Sequence, residues 1–186
     1  MATPKPWVKF TVKDYMSTPE GTRYQLLDGE MIVAPSPTSR HQTIAAQLVA
    51  SLRQFVLERS LGRVWFAPLD VVLSNYDVAQ PDILFVSNAR SDIVTEANIQ
   101  GAPDLVVEIL SPGTATYDRG YKQALYSRHD VREYWLVDPD AETVEVLSES
   151  QEGLAPVASY DATGTLTSPL LEGLAIELAG IFSREL

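Results

Sequence analysis

The sequence predicts an α+β protein built on a mixed β-sheet, and three observations lead to this fold class. A strand, a helix and a second strand follow one another between Asp104 and Val137, as in a βαβ unit. Strands joined in this way are parallel, and the connection is right-handed. A strongly amphipathic helix is predicted at residues 39–61, and the pattern after Thr143 is rich in β-strand. No repeat or linker interrupts the chain, so we expect one domain, residues 1–186.

The predicted domain has four parts along the chain. Residues 1–20 form an N-terminal arm, with a short helix near Val12–Met16. Residues 24–34 form a β-hairpin, because Asp28-Gly29 is a two-residue turn signal between apolar runs. The core spans residues 39–139, and a β-rich C-terminal extension spans residues 143–186.

The core is predicted to open with its amphipathic helix. Ile44, Leu48, Leu52 and Phe55 repeat at the spacing of one helix face. Ser39 with Gln42 fits a capping box at the start, and Gly62 fits a C-cap at the end.

The rest of the core alternates strands with one further helix. Its predicted elements, in order, are strands at 64–73, 82–86 and 104–110, a helix at 116–129 and a strand at 133–137.

Composition excludes several kinds of site. The chain has no cysteine and two histidines, which excludes disulfides, cysteine-based zinc sites and a three-histidine metal site. No apolar run approaches the roughly 20 residues that span a bilayer. The N-terminus has no hydrophobic signal core, so we expect a cytoplasmic protein. A net charge of −11 weighs against nucleic-acid binding without excluding it, because a local basic strip can lie within an acidic total.

Glu108 is the first candidate site residue, because a carboxylate in the apolar strand 104–110 is costly to bury without a partner. Asp82 follows Pro81 at the head of another apolar strand. Two adjacent strands can bring these carboxylates together, as a magnesium site requires. The alternatives are a buried salt bridge for Glu108 and a turn carboxylate for Asp82.

Lys122 is the nearest lysine after Glu108 and lies in the next predicted helix. It shares a helix face with Asp118 and Tyr126, each four residues away. It forms either a surface pair with Asp118, which stabilises little, or reaches the site beside Glu108. At the site, a lysine can position water or stabilise the negative charge on a phosphate.

Several phrases together carry a resemblance to a known superfamily. They are Leu-Leu-Asp-Gly-Glu30, His41, Gln80-Pro-Asp82, Ala102-Pro-Asp-Leu-Val-Val-Glu-Ile-Leu-Ser-Pro112, the Lys122–Tyr126 spacing and Glu133-Tyr-Trp-Leu-Val-Asp-Pro139. The chain resembles the PD-(D/E)XK nuclease superfamily, with its αβββαβ core. Within it, the chain is similar to the Uma-type "putative restriction endonuclease" family. Leu110 stands where the superfamily motif has lysine, and the resemblance implies that Lys122 replaces it.

The resemblance implies a metal-dependent DNA endonuclease that hydrolyses phosphodiester bonds. Asp82, Glu108 and the carbonyl of Ile109 would hold Mg²⁺ or Mn²⁺, and Lys122 would be catalytic. Glu30 would be a third acid or an exposed turn carboxylate. His41 would contact a phosphate or a site carboxylate, or serve in local capping, and Gln80 would face the site or be a loop amide.

Three further expectations concern partners and activity. A homodimer is expected, because double-strand cutting often uses two copies of one site. One alternative is a catalytically degenerate module that serves as a protein-interaction or structural unit. Another is a hydrolase of smaller phosphate esters.

Overall fold

The computed structural model describes residues 8–19, 21 and 23–183. Residues 1–7 and 20 of the predicted arm, and residues 184–186 of the predicted extension, lie outside this range. The strands of the described part are β1 (Tyr24–Leu27), β2 (Glu30–Val33), β3 (Gly62–Phe66), β4 (Val71–Ser74), β5 (Asp77–Ala79), β6 (Ile83–Ser87), β7 (Ile99–Gln100), β8 (Leu105–Ile109), β9 (Glu133–Asp138), β10 (Thr143–Ser150), β11 (Gly153–Asp161), β12 (Thr165–Thr167) and β13 (Ala175–Glu177).

The α-helices of the same part are α1 (Val12–Tyr15), α2 (Ser39–Glu58), α3 (Ala115–Tyr117), α4 (Gln123–Arg128) and α5 (Leu178–Phe182). A 3-10 helix covers Asn88–Ile93, and a π-helical segment, Asp118–Lys122, joins α3 to α4. None of the described helices is both long and apolar enough to cross a membrane.

A mixed six-stranded sheet carries the fold, with strand order β11-β10-β9-β8-β6-β3. β8 and β9 are parallel and their neighbours are antiparallel, which confirms the predicted βαβ unit. The sequence α2, β3, β6, β8, helical segment 115–128 and β9 is the expected αβββαβ core. The predicted fold class is therefore confirmed.

A second sheet of five short strands, β2-β1-β5-β4-β7, was not predicted. The hairpin of β1 and β2 forms its edge, turning at Asp28-Gly29 as expected. The stretch 64–73, predicted as one strand, is two strands in different sheets. Pro68 lies between them, and a proline cannot donate to a strand ladder.

Helix α2 covers one face of the six-stranded sheet. Its buried stripe is the predicted one, Ile44, Leu48, Leu52 and Phe55, and packs with the apolar side chains of β6, β8 and β9. The capping prediction was wrong by one residue, because Thr38 is extended and its hydroxyl accepts the His41 N–H. The predicted C-terminal end of the helix was wrong too. Ser60 has a positive φ, so the helix ends at Glu58, and Gly62 is the first residue of β3 instead of the C-cap.

The opposite face is covered by the segment 115–128. It was predicted as one regular helix, but its central turn is π-helical. Leu125 and Tyr126 are fully buried there against Val106 and Tyr134. This segment therefore places its inward side chains directly over β8.

The C-terminal extension is rich in strands, as predicted: β10 and β11 extend the six-stranded sheet, and β12 and β13 form a two-stranded sheet. Many of its apolar residues join the α2 cluster, and α5, which was not predicted, contributes Ile181 and Phe182. The buried Glu133 carboxylate accepts hydrogen bonds from Trp135 Nε1, Ser168 Oγ and the Leu170 N–H. These bonds fix the extension to β9.

Candidate active site

Asp82 and Glu108 lie opposite each other where β6 meets β8. The two strands are antiparallel with Ile83 opposite Val107, so the next step of the register pairs Asp82 with Glu108. Directly opposite residues of an antiparallel pair point to the same face. Asp82 comes one residue before β6, and Glu108 is inside β8, so the pair lies at the N-terminal end of β6.

The Asp82 carboxylate is held from two sides. Its Oδ2 accepts a hydrogen bond from the backbone N–H of Ile109 at 2.7 Å. Its Oδ1 lies 3.2 Å from Nε2 of His41, in the first turn of α2. The side chain keeps 18% exposure, so Asp82 is the carboxylate of the pair with more access to solvent.

Glu108 is almost fully buried and takes two donors on one oxygen. Lys122 Nζ lies 3.0 Å from Glu108 Oε1, and the Tyr126 hydroxyl donates to the same atom at 2.7 Å. Within the described part of the chain, no hydrogen bond uses Oε2. The two donors therefore orient the carboxylate with Oε1 towards the helical layer.

Lys122 lies between two carboxylates. Its ammonium is 3.0 Å from Asp118 Oδ1 as well as 3.0 Å from Glu108 Oε1. Lys122 is 3% exposed and Asp118 is 1% exposed, so this is a buried cluster and not the surface pair that the sequence left open. Lys122 therefore reaches Glu108, and its pair with Asp118 is buried rather than on the surface.

Burial and neighbouring charge shift the protonation of this cluster. Burial raises the pKa of Glu108 to about 8, with Asp118 and Asp82 adding to the rise and Lys122 opposing it. Burial alone would lower the pKa of Lys122, but the Glu108 and Asp118 carboxylates outweigh it and raise that pKa above its ordinary value. The ammonium is thus held in its charged form by Glu108 and Asp118.

His41 responds to the same negative charge. Burial lowers the pKa of His41, but the hydrogen bond and charge of Asp82, with the backbone of Ile109, outweigh burial and raise it. Its Nδ1 is buried and makes no hydrogen bond within the described residues. The helix-capping role that the sequence left open belongs to the His41 backbone N–H, and its ring faces the Asp82 carboxylate.

Two residues considered from the sequence are not joined to this cluster. Glu30 is exposed at the start of β2, and none of the described hydrogen bonds or ion pairs links it to Asp82, Glu108 or Lys122. Its catalytic role stays a prediction. Gln80 points elsewhere, because its side-chain amide donates to Asp70 Oδ1 at 2.8 Å and to the Tyr15 hydroxyl.

Leu110 lies in the apolar cluster beneath the segment 115–128, with 6% exposure. A lysine at that position would have shared the strand face of Glu108. Lys122 approaches the same carboxylate from the helix above it.

The oxygen-rich character of the site suits a hard cation. Within the described residues, no three His, Cys, Asp or Glu side chains are arranged to hold a metal ion. A magnesium site needs fewer protein ligands, because Mg²⁺ keeps several waters and takes one or two carboxylates. Because burial raises the pKa of Glu108, a cation bound beside it would favour the ionised form of this side chain.

Asp118 and Tyr126 are the two site residues that sequence reasoning missed. The sequence identifies them only as neighbours of Lys122 on one helix face. The available signal was a polar stripe at 118, 122 and 126 in a helix that must cover an apolar sheet. Such a stripe is costly to bury unless its members satisfy one another.

The chain belongs to the Uma2 family, described as "Putative restriction endonuclease", whose family model matches residues 12–179. It is similar to an uncharacterized protein, slr1290, of Synechocystis sp. (strain PCC 6803), with 24% identity over 165 residues. That match covers 87% of this chain and 85% of the relative.

A solved structure shares the fold. It is described as a "putative nuclease belonging to DUF820" from Anabaena variabilis, and it aligns with a TM-score of 0.78 and 23% identity. The alignment covers 93% of this chain and 97% of that one.

Proposed function

We propose that this chain is a metal-dependent endonuclease that hydrolyses phosphodiester bonds in DNA. The observation that carries the proposal is a pair of neighbouring contacts: Lys122 Nζ lies 3.0 Å from Glu108 Oε1, and Asp82 accepts a hydrogen bond from the N–H of Ile109, the residue after Glu108. The family description and the description of the Anabaena protein support the same reaction class.

Asp82, Glu108 and the backbone carbonyl of Ile109 would hold one Mg²⁺ or Mn²⁺. All three are hard oxygen donors, which these ions prefer. The hydrogen bond from the Ile109 N–H to Asp82 supports this set, because it brings the Asp82 carboxylate beside the peptide that follows Glu108. When bound, such an ion activates water and neutralises charge on the scissile phosphate.

Lys122 supplies a permanent positive charge beside this set. Held protonated by two carboxylates, it is suited to stabilise negative charge on the phosphate or to orient the attacking water, and not to accept a proton. It takes the role of the motif lysine that is absent at Leu110.

His41 would act at the more exposed side of the site. Its Nε2 already contacts Asp82, so a cation on that carboxylate would compete with a protonated imidazole for the same oxygen. Released from Asp82, the ring can donate to a substrate phosphate. Glu30 remains a proposed third acid with no contact in its support.

A second candidate function, a catalytically degenerate protein-interaction module, is favoured by one specific observation. The net charge of −11 is unusual for a protein that binds a polyanion. The buried cluster weighs against it, because a structural module gains little from an ion pair in its core.

A plasmid-nicking assay distinguishes the endonuclease from the catalytically degenerate module. Purified chain with supercoiled plasmid and Mg²⁺ or Mn²⁺ is expected to yield nicked circles, and a chelator should stop the reaction. Asp82→Asn and Glu108→Gln should each slow nicking by at least about 100-fold. The exposed Glu96→Gln is the matched control and should cut like wild type.

Two results would overturn the proposal. Wild-type protein that leaves the plasmid intact with both metals favours the degenerate module. Equal nicking by wild type and both site variants identifies a contaminating nuclease. Light scattering of the same preparations measures the molar mass and tests the proposed homodimer.

A further inference from the structure

The side chains of Asp118, Lys122 and Tyr126 form a polar stripe. They stay on one side of the helical segment because part of that segment is π-helical. Steps of four residues overshoot an α-helical turn of about 3.6 residues, so a stripe with this spacing drifts around a regular α-helix. A π turn holds more residues than an α turn, so a step of four residues falls short of one full turn and the stripe moves in the opposite direction. Because Asp118–Lys122 is π-helical and α4 follows it, all three side chains lie buried over β8.

Among the described residues, Asp118 is the member of this stripe that has no hydrogen bond or ion pair with any of the three proposed metal ligands. Its Oδ1 lies 3.0 Å from Lys122 Nζ, the same distance that separates this ammonium from Glu108 Oε1. Its own backbone is fixed from the sheet, because the Tyr134 hydroxyl donates to the Asp118 carbonyl at 3.0 Å. The sheet therefore holds the Asp118 backbone, and the Asp118 carboxylate forms an ion pair with Lys122.

Stability alone does not explain this arrangement. Replacing a buried ion pair with well-packed apolar residues is often neutral or stabilising, so such a pair is weak evidence for a purely structural role. A long lysine side chain has several rotatable bonds, and a second carboxylate limits where its ammonium can lie. Precise placement of a charged group matters most for a reacting site.

We propose that Asp118 is a positioning residue, which fixes the Lys122 ammonium against Glu108 in the geometry that the reaction uses. The proposal rests on the nuclease function proposed above. It predicts that loss of the Asp118 charge disturbs the lysine without disturbing substrate binding, since Asp118 is buried beneath the site.

The test combines kinetics with a spectroscopic measurement that needs no activity. Asp118→Asn should lower kcat by about 10- to 100-fold, as expected for a residue that orients a site group, while KM for DNA stays unchanged. The exposed Asp92→Asn is the matched control and should keep both constants. A wild-type kcat in Asp118→Asn, or a loss confined to KM, would overturn the proposal.

Nitrogen-15 NMR of the lysine side chains measures directly how firmly the Lys122 ammonium is held. The chain has four lysines, and the buried Lys122 ammonium should exchange its protons with water much more slowly than the exposed Lys13. Its signal is assigned by its loss in Lys122→Met. In Asp118→Asn that signal should shift and exchange faster, whereas in Asp92→Asn it should stay as in wild type.

The NMR result also keeps the two proposals separate. If wild type cuts no DNA, the nuclease function fails, and the Lys122 signal still decides whether Asp118 holds the lysine. If Asp118→Asn does not fold, the wild-type spectrum is used to decide whether the Lys122 ammonium is held in place. A Lys122 ammonium that exchanges as fast as Lys13 in folded wild type would overturn the positioning role of Asp118, and a slowly exchanging one supports it.

Discussion

Asp82 and Ile109 are joined across the sheet by a 2.7 Å hydrogen bond from a backbone N–H to a carboxylate oxygen. The donor is a main-chain group of the residue that follows Glu108, so the bond holds the two strands in the register that sets Asp82 opposite Glu108. It makes Asp82 both a candidate ligand and a structural acceptor.

These two roles of Asp82 can be separated by substitution. Asp82→Asn keeps an acceptor for the Ile109 N–H, so we expect little loss of stability, with cleavage slowed by at least about 100-fold. Asp82→Ala leaves that buried N–H without an acceptor, and we expect the free energy of unfolding to fall by about 1–3 kcal/mol as well. Urea unfolding measures the stability of the two variants, and plasmid nicking measures their cleavage. Equal stability of the two variants would contradict the structural role.

Tyr126 is expected to matter through its hydroxyl alone. Tyr126→Phe removes the donor to Glu108 Oε1 and leaves the ring packed on Tyr134. We expect a loss of about 1–3 kcal/mol in unfolding free energy, because the bond is buried and its loss removes a donor from Glu108. Tyr160→Phe removes an exposed hydroxyl bonded to Thr167 and serves as control. A Tyr126→Phe variant no less stable than this control would show that Glu108 does not depend on the bond.

Asp77 makes a pH-dependent connection between the second sheet and the segment that carries Lys122. It accepts hydrogen bonds from the Tyr121 hydroxyl, the Asp28 N–H and the Ser74 hydroxyl. Burial raises the pKa of Asp77, but these bonds and the charge of Arg128 outweigh it and lower that pKa below its ordinary 3.8. The folded state therefore favours the ionised form.

The sign of the pH effect follows from this lowered pKa. The contribution of Asp77 is complete above the unfolded pKa near 3.8 and is lost as pH falls through the lower folded pKa. We expect Asp77→Asn to reduce unfolding free energy by about 1–3 kcal/mol at pH 7 and by progressively less below pH 3.8. Urea unfolding across this range, with Asp92→Asn as control, measures the difference. A deficit that grows on acidification would contradict the assignment.

Strand patterning predicted the sheet and the proximity of Asp82 to Glu108, because long apolar runs define β6, β8 and β9. It left open whether Lys122 reaches Glu108, which the structure shows at 3.0 Å. The second sheet was missed, since β4, β5 and β7 are too short to show a period. The π turn was missed because an extra residue in a turn leaves the local apolar pattern almost unchanged. The positioning role of Asp118 was missed for the same reason, as its burial depends on that turn.

The central claim is that Asp82 and Glu108 share one divalent cation. Titration of the purified chain with Mn²⁺, followed by the electron paramagnetic resonance signal of the free ion, tests it without any cleavage. We expect wild type and the exposed-site variant Glu96→Gln to bind a single Mn²⁺ alike, and Asp82→Asn and Glu108→Gln to bind it at least about 10-fold more weakly. Equal Mn²⁺ affinity in all four proteins, or no binding by wild type, would contradict the claim.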